Sequence, residues 1–250
     1  MNAKVYSVAL DGTETRAEAV AVKDGKFVFI GSNEDAKTWI GENTQVTDCN
    51  GGSLLPGFGD AHMHLTQSAA VYAAADIHDL VEDFVNETPD DVIAKIQKIV
   101  KKFADEHPND PVIHVAGWDR MWFVGGLKGI VRPFTRYDLD AAVSDRPVFA
   151  TSYCGHCAVL NSKAMELAGI AGKDTPEPPA GVLSRDKDGV PDGYLQENEV
   201  LIPARAAIPN FAYTSEQIHE AMLRALKDFR ALGFTLLCDM QEFRRITRCF

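Results

Sequence analysis

The sequence is poor in the features that mark several common functional classes. No apolar run approaches the roughly 20 residues that a membrane-spanning helix needs. The first residues show neither the basic start nor the apolar core of a secretory signal, so a soluble, cytoplasmic protein without a membrane partner is expected. Cysteine is sparse and irregular. The five residues at 49, 154, 157, 238 and 249 form an odd set without regular spacing, which suits a reducing compartment better than a disulfide framework. Basic residues are outnumbered, 25 Lys and Arg against 36 Asp and Glu, and the resulting net charge of −11 argues against a nucleic-acid partner. Internal repeats and low-complexity tracts are missing as well.

What is present suits an ordinary globular protein. The 250 residues are 46% hydrophobic and 24% charged, enough to bury a substantial core. Residues 3–10, 17–23 and 26–31 read as short strands, with Lys23-Asp24-Gly25-Lys26 as the turn between the last two. Residues 34–40 read as one or two helical turns, and 45–48 and 52–55 as further strands. Residues 1–55 therefore form an expected β-subdomain. From residue 56 the pattern becomes strand alternating with helix. Val92, Ile93, Ile96, Ile99, Val100 and Phe103 recur at helical spacing after Asp90-Asp91. Strands are expected at 112–116, 147–153 and 235–239, and a helix at 158–168. A hairpin is expected over 182–195, turning at Asp188-Gly189, and a helix from Ser215, taken as its cap, to Leu232. Such alternation indicates parallel βαβ units.

The most informative stretch is Leu54-Leu55-Pro56-Gly57-Phe58-Gly59-Asp60-Ala61-His62-Met63-His64-Leu65. Side chains at i and i+2 of a strand share a face, so His62 and His64 would reach one metal ion together from a strand's end. Imidazole suits zinc, and also iron and nickel. With histidines at the C-terminal end of a strand, a (β/α)8-type barrel is the expected design, because the chemistry of such barrels gathers at that face. Only four or five barrel strands can be placed, where closure needs eight. Residues 56–250 are therefore expected to be the N-terminal portion of a barrel, cut short by truncation or by a frameshift near residue 240. The alternative is a short barrel variant.

Pro-Gly-Phe-x-Asp-x-His-x-His resembles the signature of the amidohydrolase superfamily, and this copy is similar to amidohydrolase family 3, the YtcJ-like metal-dependent hydrolases. Ala19 to Gly31 resembles the opening hairpin of such proteins. Gly155-His156-Cys157-Ala158-Val159-Leu160-Asn161-Ser162-Lys163-Ala164-Met165 resembles the family's Gly-His and Asn-Ser-x-Ala block, and Gly189 to Glu197 its Gly-x-Leu-x-Glu segment. The likeness runs from about residue 3 to about residue 240. It implies a β-sandwich-like subdomain in front of the barrel, one or two divalent ions with zinc first in order, and hydrolysis of an amide or cyclic amide bond of a small molecule by metal-activated water. Glu197 stands at the family's bridging position and is expected to bind metal with His62 and His64; a solvated hairpin edge is its alternative. His156, at the barrel mouth, is expected to face substrate or the developing oxyanion. Asp119 either faces the same pocket or caps a loop. Trp118, Trp122 and Phe123 would form an apolar wall suited to a hydrophobic or aryl-bearing substrate, or else belong to the core.

The family's later ligands, two further histidines and an Asp, have no counterpart: His219, the only histidine after His156, reads as a solvated helix face. An inactive fragment, or a half-enzyme needing a C-terminal partner, is thus a second reading. Exposed barrel edges would favour self-association, as a homo-oligomer or otherwise. A third comes from Cys154-Gly155-His156-Cys157, a Cys-x-x-Cys read as lying between a strand and a helix, the layout of a dithiol oxidoreductase. The remaining histidines, His78 in a polar loop, His107 at a helix end and His114 in a strand, read as structural.

Overall fold

The computed structural model describes residues 1–240 and divides the chain into two compact units. The first comprises Met1–Met63 with Arg230–Cys238; the second comprises His64–Phe229 and the chain from Asp239. The division thus falls after Met63 rather than at residue 55. The tail from Gln241, with Cys249, lies outside the described residues.

The first unit is built of short strands. β1 (Lys4–Val8) pairs antiparallel with β2 (Glu14–Ala17), and β3 (Ala19–Lys23) pairs with β4 (Lys26–Gly31) around the Asp24-Gly25 turn. Asp24 and Gly25 both take positive φ, as a two-residue hairpin turn requires. The helix α1 (Asn33–Ala36) is capped by Ser32, whose hydroxyl accepts the Asp35 N–H at 3.1 Å. β5 (Ser53–Leu54) adds to β1 in parallel, while 45–48, expected as a strand, is irregular. β6 (Phe58–Met63) pairs with the strand Phe234–Asp239.

The second unit is organised by one six-stranded sheet. After α2 (Leu65–Ala70) come β7 (Ala75–Asp76), α3 (Pro89–Glu106) and β8 (Ile113–Trp118). Thr88 and Asp91 close a capping box at the start of α3, Pro89 occupies its first turn, and Val92, Ile93, Ile96, Val100 and Ala104 form its buried stripe. Next come α4 (Arg136–Asp140) and β9 (Val148–Ser152). β7, β8 and β9 run parallel, as βαβ connections demand. The sheet then changes character. β10 (Cys157–Leu160) turns back antiparallel on β9, and α5 (Ser162–Leu167) follows it; β11 (Val182–Arg185) and β12 (Pro191–Gln196) complete the order β11-β12-β10-β9-β8-β7.

The segment 158–168, expected as one helix, is therefore a strand followed by a helix. Ala158, Val159 and Leu160 are fully buried, and so short an apolar run carries no period to distinguish the two. Asn161 is the pivot. Its Oδ1 accepts the N–H of Ala164, capping α5, and the N–H of Val148 on β9, both at 2.9 Å. Its Nδ2 donates to the carbonyls of Val143 and Arg146. A fully buried amide with every polar group satisfied ties strand, helix and loop together.

The helix α6 (Asn198–Ala207) was not foreseen. α7 (Ser215–Ala231) was, but its cap is Thr214 rather than Ser215: the Thr214 hydroxyl accepts the Gln217 N–H, and the Gln217 side chain accepts the Thr214 N–H. The last strand, Phe234–Asp239, is β13. Among the described residues, the sheet of the second unit is thus a mixed one with three parallel strands, and the architecture is α/β.

Candidate active site at the ends of the parallel strands

At or just beyond the C-terminal ends of β7, β8 and β9 stand His78, Asp119 and His156. His156 lies in the four-residue turn joining β9 to β10, not between a strand and a helix. Its Nδ1 lies 3.1 Å from Oε2 of Glu197, a residue 41 positions later that follows β12. The Glu197 backbone N–H donates to the His156 carbonyl at 2.8 Å, so main chain and side chain hold the pair together. The His156 hydrogen bond, seconded by Gln196, holds the Glu197 carboxyl below its ordinary range. An ionised carboxylate only accepts, so the proton between the two sits on Nδ1, and Nε2 of a neutral His156 presents a lone pair.

The Glu197 backbone has φ +75° and ψ 155°, a region that is almost exclusively glycine's. Holding a glutamate there requires the contacts on both sides of it, and such outliers gather at functional positions.

Asp119 caps a turn. Its Oδ1 accepts the Met121 N–H at 2.8 Å, opening the single 3-10 turn Arg120–Trp122. Trp118 and Phe123 line a cavity of about 170 Å³ together with Phe134, Tyr194 and the buried Asp192, so part of the expected apolar wall is there. Trp118, Trp122 and Phe123 also all belong to the buried core, and Trp122 does not line the cavity. A larger, open hollow of about 550 Å³ in the first unit holds none of the residues named from sequence.

His62 is exposed on β6, where its own N–H donates to Asp60 Oδ1 at 3.0 Å. His64 comes just after β6 ends, half-buried at the start of α2. The next residue, Leu65, donates its N–H to Asp239 Oδ2 at 3.1 Å. Among the described residues no three His, Cys, Asp or Glu side chains come together as a metal-binding group.

His78 is the residue that sequence reasoning passed over. Asp76 Oδ1 accepts its N–H at 3.0 Å and lies 2.7 Å from its Nδ1, and the hydrogen bond to the imidazole holds the Asp76 carboxyl low. Gly117 makes room for the ring: a Cβ there would meet the imidazole at 2.2–2.5 Å, and its φ of +103° excludes other residues independently. The ring faces Tyr153 edge-on. The signal was available, because Asp76-Ile77-His78 has the same i, i+2 arrangement at a strand end as His62-Met63-His64. The other histidines are structural or solvated as read. His107 ends α3 with Nδ1 2.9 Å from the Phe103 carbonyl, His114 packs against Phe211 and Tyr213, and His219 is exposed.

The α/β fold is shared with parts of solved structures. The structure aligns with an uncharacterized metal-dependent hydrolase from Pyrococcus horikoshii OT3 at a TM-score of 0.59 and 23% identity, covering 96% of this chain and 42% of that one. The chain belongs to the amidohydrolase family, whose pattern residues 45–247 match. It is 30% identical over 92% of its length to YtcJ of Bacillus subtilis strain 168, which carries an amidohydrolase name, and covers 40% of that protein. It is also 27% identical over 96% of its length to an N-substituted formamide deformylase of Arthrobacter pascens, covering 41% of it. The chain thus spans about two fifths of the length of these relatives. No helix among the described residues is long and apolar enough to cross a membrane.

Proposed function

We propose that this chain carries part of the active site of a metal-dependent hydrolase that cleaves a C–N bond, amide or cyclic amide, in a small molecule. The observation that carries the reading is the pairing of His156 with Glu197 at the end of the sheet, joining two segments that the sequence marks separately. Family membership, and names such as formamide deformylase among the relatives, support the C–N bond as target. In this reading β7, β8 and β9 are strands of a (β/α)8-type barrel that the whole protein completes.

The donor chemistry fits a divalent ion, zinc first and iron or nickel after it. Two imidazoles two residues apart, His62 and His64, would hold it, with the Glu197 carboxylate as a third donor. Polarisation of the scissile bond and activation of water are what a bound ion contributes. Within the chain itself, Glu197 orients His156 through Nδ1 and leaves Nε2 to take up or return a proton at the substrate. Asp119 holds the turn that follows β8, and the cavity walled by Trp118, Phe123 and Phe134 excludes water around an apolar substituent.

A second reading rests on the share of its relatives that the chain spans, about two fifths: the chain is inert until a C-terminal half supplies further ligands. Metal content per chain decides between them. Gel-filtered protein is exposed to zinc, dialysed and analysed by mass spectrometry. About one retained ion per chain, lost in His62→Ala and His64→Ala, is the expected result, and a screen of amide and imide hydrolysis follows. Undiminished metal in both variants would overturn the ligand assignment. Absence of metal from the wild type would favour the half-enzyme.

A further inference from the structure

The cysteines of the β9–β10 turn form a unit that the hydrolase reading does not use. Ser152 ends β9, Cys157 begins β10, and Tyr153, Cys154, Gly155 and His156 connect them. One hydroxyl touches both residues: Ser152 Oγ lies 3.2 Å from the Cys154 thiol and accepts the backbone N–H of Cys157 at 3.2 Å. Gly155, at φ +75°, folds the chain back within the turn that separates the two cysteines. Their environments differ sharply. Cys154 is exposed, whereas Cys157 is 4% exposed, with its Sγ 3.1 Å from the Tyr194 hydroxyl of β12.

This is the division of labour of an attacking and a resolving thiol. Desolvation pushes the Cys154 thiol up, but hydrogen bonds from Ser152, the His156 N–H and Cys157 outweigh it, and the net shift is downward. Desolvation raises Cys157, and the neighbouring Cys154 adds to that. No helix N-terminus takes part, since the turn joins two antiparallel strands. A catalytic dithiol of the kind considered from the sequence loses its structural basis; a stoichiometric one does not.

We propose that Cys154 and Cys157 are an oxidation-sensitive pair that closes to an intramolecular disulfide when the protein meets a hydroperoxide. The Cys154 thiolate attacks the terminal oxygen of hydrogen peroxide; the O–O bond breaks, hydroxide leaves and takes up a proton as water, and Cys154 becomes a sulfenic acid. The Cys157 sulfur then attacks Cys154 Sγ, the S–O bond breaks, and a second water leaves as the S–S bond forms. The net change consumes two thiols and one peroxide and yields one disulfide and two waters. An added dithiol reverses it by exchange. The cross-link fastens the turn that carries His156. It does not depend on the hydrolase reading.

The test treats the reduced 250-residue protein with hydrogen peroxide, blocks remaining thiols with iodoacetamide under denaturing conditions, and maps the cysteines by mass spectrometry. A single tryptic peptide contains both. The expected result is loss of alkylation at Cys154 and Cys157 together, a peptide lighter by two hydrogens, and full recovery with dithiothreitol, while Cys49 and Cys238 remain alkylatable. In Cys157→Ser the reaction stops at a Cys154 sulfenic acid that dimedone traps; in Cys154→Ser, Cys157 stays alkylatable. Equal alkylation of Cys154, Cys157, Cys49 and Cys238 after peroxide would overturn the proposal. So would a disulfide from Cys154 to any other cysteine.

Discussion

The two units bury their apolar residues very differently. In the first, only Ala3, Val5, Ala19, Ala36 and Met63 are withdrawn from solvent, while Phe27 is 68% and Leu236 65% exposed. In the second, α3 and the parallel strands close over Ile77, Ile96, Ile113, Trp118 and Leu139, and α5 and α6 cover Phe149, Leu160, Met165 and Leu195 on the same sheet. A hairpin such as β3–β4 gains little until another layer covers its apolar face, whereas βα connections bring their own covering helices. The difference extends to backbone strain. The non-glycine residues at positive φ in the first unit are Asn2, Asp24 and Asn50, types that tolerate it at small cost. The second unit holds Glu197 in a conformation proper to glycine.

Core truncation should separate the units most. Phe149→Ala removes a fully buried ring that meets Phe211 edge-on, and is expected to lower the free energy of unfolding by about 3–5 kcal/mol. Phe27→Ala should change it by no more than about 0.5 kcal/mol. Similar losses in urea unfolding of the two variants would break the comparison.

Acid should act next, again through the second unit. Burial holds the His114 imidazole down at about 4, from an ordinary 6.5. Between these values the unfolded chain binds a proton that the folded one refuses, so the stabilisation is complete above about pH 6.5 and is lost as pH falls through 4. The loss amounts to about 3 kcal/mol at pH 4. The wild type should therefore lose that much more than His114→Phe between pH 7 and pH 4 in denaturant titrations. Parallel pH profiles would show that His114 is not the sensitive group.

The smallest effect expected is relief of strain. Glu197→Gly frees the backbone and should raise Tm by about 2–4 °C, while the hydrogen bond to His156 is lost. An unchanged or lower Tm would mean that the side-chain contact outweighs the strained main chain.

Several features were legible because they are local. The Asp24-Gly25 turn, the capped and striped α3, the hairpin of β11 and β12 and the apolar strand β8 each depend on residues within a few positions of one another, where dihedral preference and periodicity act. The His-x-His segment and the blocks around His156 and Glu197 could be picked out for the same reason. Misreadings arose where local preference is neutral. Ala158-Val159-Leu160 suits strand or helix, and the edges of β9 and β12 chose strand. His78 read as a loop residue and does lie in the turn after β7, but its pairing with Asp76 and its seat against Gly117 were not visible from spacing alone.

By itself, the sequence determined the family, the positions of most helices and strands, and which residue types could do chemistry. The tertiary structure alone decided which of them meet. It set the imidazole of His156 on the carboxylate of Glu197, gave Asp119 to a turn, and placed one cysteine thiol against a serine hydroxyl and the other against a tyrosine. The physical reason is that chain spacing selects among local conformations, whereas a contact across 41 residues depends on strand register and on every buried side chain that holds the strands in place.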